Sequence, residues 1–135
     1  MSYAMSFALQ EALYRCLTAD THLNALVGNH IYDALPAGTP PDLYVILGAE
    51  KVRDASDADG DGAVHEVSVS ILTERAGFAD AKRAAVAVCD ALGVPLDLSR
   101  GRLLSLRFHK ARAGRVGSAG RRRIDLTFNA RLSDD

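Results

Sequence analysis

The chain has 135 residues, 48% of them hydrophobic and 24% charged, with a formal net charge of −1. A chain of this size and balance is expected to be one soluble domain, 1–135, that buries a core without disulfide or metal staples, and the composition as a whole reads as globular rather than disordered. The near-zero total hides a sorting: residues 1–99 carry six Lys/Arg against fourteen Asp/Glu, and residues 100–135 carry ten against three. Such asymmetry bears on partners rather than fold. The basic third can meet a polyanion such as nucleic acid, it can meet the acidic surface of another subunit, or its charges can interleave with acids in space.

Taken in chain order, residues 5–18 are expected to form a helix, with Leu9, Ala12, Leu13, Cys16 and Leu17 on one stripe. Asp20 or Thr21 then caps a short helical turn through Leu23, Leu26 and Val27, closed by Gly28. His30 to Asp33 reads as a brief strand, and Pro36, Gly38, Pro40 and Pro41 punctuate a loop. The apolar run Leu43 to Leu47 begins a strand that continues toward Arg53. Asp54 to Gly62 is acidic and small, with nothing to bury, and is expected to be a mobile hairpin loop.

Residues 64–74 alternate, Val67, Val69, Ile71 and Thr73 against Glu66, Ser68, Ser70 and Glu74, as on a half-buried strand. Phe78, Ala81, Ala85, Val88 and Leu92 mark a second long helix, stopped by Gly93 and Pro95. Two strands finish the chain, joined by a Gly-rich link from Gly114 to Gly120. Leu104, Leu106 and Phe108 are expected to face the core, as are Ile124, Leu126, Phe128, Ala130 and Leu132. The other face then presents Arg107, His109, Arg123, Asp125, Thr127, Asn129 and Arg131, with Arg121 and Arg122 at the mouth of the hairpin. The fold class is α+β, an antiparallel sheet of about four main strands against two amphipathic helices.

No pattern carries catalysis. Asp57, Asp59 and Asp61 fit the first half of a calcium loop, but the twelfth position, which needs a bidentate carboxylate, is Ser68. Gly114, Gly117 and Gly120 precede a strand rather than the helix that a dinucleotide fingerprint requires. The four histidines lack metal-ligand spacing, and no G-x-S-x-G occurs. No catalytic residue, cofactor or metal is therefore expected. Cys16 and Cys89 lie on apolar helix stripes and read as buried free thiols. The N-terminus has no basic segment leading into an apolar run, and no apolar stretch approaches the roughly 20 residues that span a bilayer. A cytoplasmic site of assembly and no membrane partner are expected. Arg121, Arg122 and Arg123, with Arg112 and Arg115 nearby, suit phosphate contacts, without interleaved aromatics to stack bases.

Five phrases carry a resemblance. Leu9-Gln10-Glu11-Ala12-Leu13-Tyr14, Ala25-Leu26-Val27-Gly28-Asn29-His30-Ile31-Tyr32-Asp33 and Pro41-Asp42-Leu43-Tyr44-Val45-Ile46-Leu47-Gly48 occur in order. Arg75-Ala76-Gly77-Phe78-Ala79-Asp80-Ala81-Lys82 and Leu103-Leu104-Ser105-Leu106-Arg107-Phe108 follow them. Together they resemble the small tail-completion proteins of long-tailed phages and gene transfer agents. The resemblance implies a tail terminator: a six-fold ring that caps the tail tube, docks onto the head connector and lets DNA pass through its lumen. It implies as partners further copies of the chain, the tail tube protein and the head–tail connector or stopper protein, with transient, non-specific DNA passage. The particle would be assembled in the bacterial cytoplasm. Candidate interface or lumen residues are Arg107, His109, Arg115, Arg121, Arg122, Arg123 and Arg131; Asp54, Asp57, Asp59 and Asp61 form a candidate docking loop. The alternatives are a head-side stopper or connector component and a sequence-independent nucleic-acid-binding domain.

Overall fold

The computed structural model describes residues 3–56 and 60–134; Asp57 and Asp59 of the candidate docking loop lie outside the described residues. The chain runs α1 (Ser6–Ala19), α2 (Thr21–Val27), β1 (Ile31–Tyr32), β2 (Leu43–Asp54), β3 (Gly62–Thr73), α3 (Ala79–Ala91), β4 (Arg102–Val116), β5 (Arg121–Ser133). The sheet order is β1-β2-β3-β5-β4, antiparallel throughout except that the two-residue β1 pairs parallel with β2. The expected α+β fold is present, with β2 to β5 as the main strands and with α2 joining the two longer helices on one face.

Local signals act where they were read. The Asp20 carboxylate accepts from the Leu23 amide at 2.8 Å and starts α2, and Gly28 ends it at a φ of 64°. The apolar stripes of α1 and α3 are buried against Val45, Val67, Val69, Ile71, Ile124, Leu126 and Phe128. Each leucine so buried contributes about 1.5–3 kcal/mol. Tiny residues at Ala81, Ala84, Ala85, Ala87 and Ala91 let α3 lie close to its neighbours.

Strict alternation does not survive along β2 and β4. In β2, Leu47 pairs with Val69 but Glu50 with Val67, so Gly48 and Ala49 together make a bulge. In β4, Leu103 pairs with Leu132 but Ser105 with Arg131, which leaves Leu104 as an extra residue. A second bulge falls at His109, because Phe108 pairs with Phe128 and Lys110 with Thr127. Each bulge exchanges the faces of every residue beyond it. The expectation of Leu104 and Phe108 in the core is thereby corrected: they are 49% and 54% exposed. Leu104 sits in a bulge. Phe108 keeps the helix side and meets Phe128 edge-on at 6.0 Å, but β4 is the outermost strand, and α3 packs on β3 and β5 instead. Cys16 and Cys89 are half-buried free thiols; burial first, then nearby acids, pushes both up.

The bulge in β2 also turns Glu50 under the helices. There Ser6 Oγ donates to Glu50 Oε1 at 2.7 Å, and His65 Nδ1 lies 2.9 Å from Oε2. An ionised carboxylate only accepts, so His65 donates; the ring is fully buried. This trio pins the start of α1 to β2 and β3. Burial alone would raise the Glu50 carboxyl, but hydrogen bonds from His65, Ser6 and Tyr3 outweigh it and hold the group below its usual value. The stabilisation from a depressed carboxyl is complete above the unfolded value and is lost as pH falls through the folded one. Thermal melts from about pH 7 down to about pH 3 should therefore show a steeper loss in the wild type below about pH 4.5 than in Glu50→Gln. Parallel curves would show that the trio adds no pH-linked stability.

Candidate functional site

The face of the sheet away from the helices is built by register. Cross-strand partners share a face, so Lys51 and Arg53 on β2 and Val64, Glu66, Ser68 and Ser70 on β3 lie on this open side. Beside them lie Arg123, Asp125, Thr127, Asn129 and Arg131 on β5, and Ser105, Arg107, Lys110 and Arg112 on β4. Without the bulge in β2, Lys51 and Arg53 would point toward the helices, and without the one at His109 so would Lys110 and Arg112. With them, the open face becomes a basic field with Glu66 and Asp125 as its interspersed acids. Lys51, Arg53, Arg107, Lys110, Arg112 and Arg131 are exposed. Among the described residues, Lys51, Arg53, Arg107, Lys110 and Arg131 form no ion pair.

The candidate arginines divide into free and tethered sets. Arg107 and Arg131 stand on the open face, and His109 is exposed in its bulge. Arg115 donates from Nε to the Gly120 carbonyl at 3.1 Å, across the turn between β4 and β5. Arg121 donates to Glu74 Oε1 at 2.7 Å and to Tyr44 Oη at 3.1 Å, and lies over the Tyr44 ring at 5.7 Å. Arg122 is on the opposite, helix-bearing face. It donates to the Arg75 carbonyl at 3.1 Å and covers the Phe78 ring at 5.6 Å, so it seals the start of α3 against the sheet. Its Nε is buried with no hydrogen-bond partner among the described residues.

Arg123 donates to Asp125 Oδ1 at 2.7 Å and to Ser70 Oγ at 3.2 Å, and Ser70 in turn donates to the same carboxylate. Burial raises Asp125, but the Ser70 and Arg123 hydrogen bonds and the charges of Arg123 and Arg112 more than reverse it. Asp125 is thus an anion set into a cationic face, and it lowers the local density of positive charge. At the far end of β2, the Asp54 carboxylate accepts from the Ser56 hydroxyl at 2.7 Å, which chiefly pushes it down to about 2. Asp61 is exposed, and its carbonyl accepts from the Asp134 amide at 3.0 Å. Asp54 and Asp61 therefore flank the same hairpin end. Among the described residues, no group of three or more His, Cys, Asp or Glu is placed to hold a metal.

Lys51, Arg53, Lys110 and Arg112 are the members of the open face that strict alternation does not find. Gly48 beside the bulge in β2 is the local signal for the first two, since glycine inside a strand pattern marks such sites. Leu104 and His109 carry no comparable mark.

The family model of tail completion protein gp17 matches residues 11–133. Among solved structures, a chain in the virion of a native gene transfer agent (GTA) particle superposes with a TM-score of 0.93 at 56% sequence identity. The match covers 98% of this chain and 99% of that one. Eighteen solved chains match in all. No curated protein matches.

The division of the arginines has a measurable consequence. Replacing Arg107, Lys110 and Arg131 together by alanine should change the unfolding free energy by no more than about 0.5 kcal/mol, as for ordinary surface positions. Arg122→Ala, which strips the cover from Phe78 and a donor from the Arg75 carbonyl, should cost about 1–2 kcal/mol in urea denaturation. Equal losses from both variants would mean that Arg122 is no more structural than the free set.

Proposed function

The chain belongs to the tail completion protein gp17 family, and from that membership we propose that it is the tail terminator of a phage-like particle of the gene transfer agent kind. Copies of the chain form a six-fold ring at the head–tail joint, between the tail tube protein below and the connector or stopper protein above. DNA passes through the lumen. The role is structural rather than enzymatic, and assembly takes place in the bacterial cytoplasm. The observation that carries this reading is the 56% identity, over 98% of the chain, to a component of a native gene transfer agent virion.

The open face of the sheet supports the conduit. Lys51, Arg53, Arg107, Lys110, Arg112 and Arg131 supply positive charge, which attracts phosphates irrespective of base sequence. Asp125, Glu66, Thr127 and Asn129 dilute it. A surface that lets DNA slide needs this balance, since every added phosphate contact strengthens retention. We assign Arg107, Arg123 and Arg131 to the lumen side on this ground. Arg121 and Arg122, held by Glu74, Tyr44 and the Arg75 carbonyl, act there through the shape of the sheet end rather than by contact with DNA. The hairpin end with Asp54, Asp57, Asp59 and Asp61 is the docking loop, and Arg115 stands beside the β4–β5 turn at the other end of the sheet. His109 lies between, at the β4 edge.

Electron microscopy of particles from cells lacking the gene tests the reading. Filled heads beside separate tails of uncontrolled length are expected. Absent tails, or heads that leak DNA, would move the chain to another component of the joint; normal, infectious particles would overturn the proposal. The basic face also favours a plain nucleic-acid-binding domain, which differs in salt response. A conduit should bind duplex DNA weakly, whereas a dedicated binder would lose affinity by about 10³-fold or more between about 50 and 200 mM salt.

A further inference from the structure

The sheet order places the two extremes of the charge sorting at opposite lateral edges. Residues 1–50, which build α1, α2, β1 and the start of β2, contain five Asp/Glu and a single Arg. Residues 100–124, which contain all of β4 and the turn into β5, hold nine Lys/Arg and no Asp/Glu. Exposed apolar surface is sorted in the same way. On α1, Phe7 is 73% exposed and Tyr14 is 39% exposed; seven residues apart, they share a helix face with Gln10. Gln10 Nε2 donates to Asp33 Oδ1 at 2.7 Å, just beyond β1, so this face looks over the β1 edge.

At the other edge, α3 and β4 leave an apolar groove of about 420 Å³ between them, lined by Val86, Cys89, Phe108, Ala111 and Ala113, with Lys82 beside it. The bulge at His109 makes this groove. It keeps Ala111 and Ala113 on the helix side, where their small side chains leave room, while Lys110 and Arg112 turn to the open face. Val86 is 59% exposed and Phe108 is 54% exposed, so one groove presents two large apolar side chains to solvent.

We infer that the groove receives the Phe7–Tyr14 stripe of a second copy of the chain, so that the β4 edge of each subunit meets the β1 edge of the next. The inference rests on the ring reading and identifies its subunit contact. A stripe on one edge and a groove on the other are different patches, which is the requirement for a head-to-tail contact that repeats and closes. Glu11 and Asp33 beside the stripe face Lys82 beside the groove, and the acidic N-terminal half meets the basic β4 edge, so opposite charges flank the apolar centre and steer the correct edges together.

Cys89 already lies in the groove and supplies the test. Particles are made with Phe7→Cys in a Cys16→Ser background and treated with a short bis-maleimide. A ladder of covalent oligomers is expected, and it should vanish when Cys89→Ala is added. In parallel, Phe7→Asp and Phe108→Asp change exposed positions and should leave the melting temperature of the purified chain within a few degrees of wild type. Each should lower the number of copies per particle about ten-fold or more, as the loss of a central apolar anchor does. A ring that persists in averaged images of Phe7→Asp particles, together with no Cys89-dependent ladder, overturns the inference and leaves the ring reading standing. A wild-type particle without a ring of this chain overturns the ring reading, and the inference falls with it.

Discussion

In a sheet with helices on one side, pairing register decides whether a side chain is core or surface, and here three bulges set that register. The bulge at Gly48 and Ala49 carries Glu50 beneath α1, where it holds Ser6 and His65, and swings Lys51 and Arg53 to the open side. The bulge at Leu104 shifts the start of β4, and the one at His109 shifts the rest. The apolar groove and the Lys110–Arg112 part of the basic face both follow from the last of these, because the same extra residue sends Lys110 and Arg112 one way and Ala111 and Ala113 the other. A bulge disrupts only a local part of a ladder, whereas its effect on side-chain direction extends to the strand's end.

Positive charge on this chain does two kinds of work. Arg75, Arg121, Arg122 and Arg123 sit at one end of the sheet and are spent on local structure: Arg75 spans Asp42 and Asp80, Arg121 joins β5 to Glu74 and Tyr44, and Arg122 covers Phe78. Arg100 and Asp134 make a two-bonded fork at the opposite end, where β4 begins and β5 finishes. Exposed pairs of this sort add little stability singly, but they fix where loops leave the sheet. The middle of the open face is different. Among the described residues, Lys51, Arg53, Arg107, Lys110 and Arg131 project from their strands without an ion-pair partner, so they form a field rather than a set of clasps.

That field, the acidic α1 side and the groove are consistent with a subunit designed for two unlike neighbours in a ring. A single chain with both edges satisfied internally would have no reason to leave Phe7, Val86 and Phe108 exposed together with oppositely charged surroundings. Family membership and the resemblance to a gene transfer agent virion chain make assembly the natural destination for these surfaces.

Sequence periodicity alone determined the element order, the helix stripes, the cap at Asp20, the hairpin turns and the α+β class, because these depend on contacts between residues close in the chain. The recurrent phrases from Leu9 to Phe108 also sufficed to identify the family. The segregation of charge was plain in the sequence, but its meaning was not: only the order β1-β2-β3-β5-β4 turns a difference between chain halves into two opposing edges. The fate of individual arginines was likewise decided by tertiary structure. Arg121, Arg122 and Arg123 are consecutive, yet alternation puts Arg122 against Phe78 and its neighbours on the other face, and long-range partners such as Glu74 and Ser70 claim two of them. Leu104 read as core because alternation was taken as unbroken, and Phe108 because β4 was taken as covered by the helices. Bulges arise from pairing with a partner strand and from which strand lies at the edge, and neither is written in the local pattern of β4.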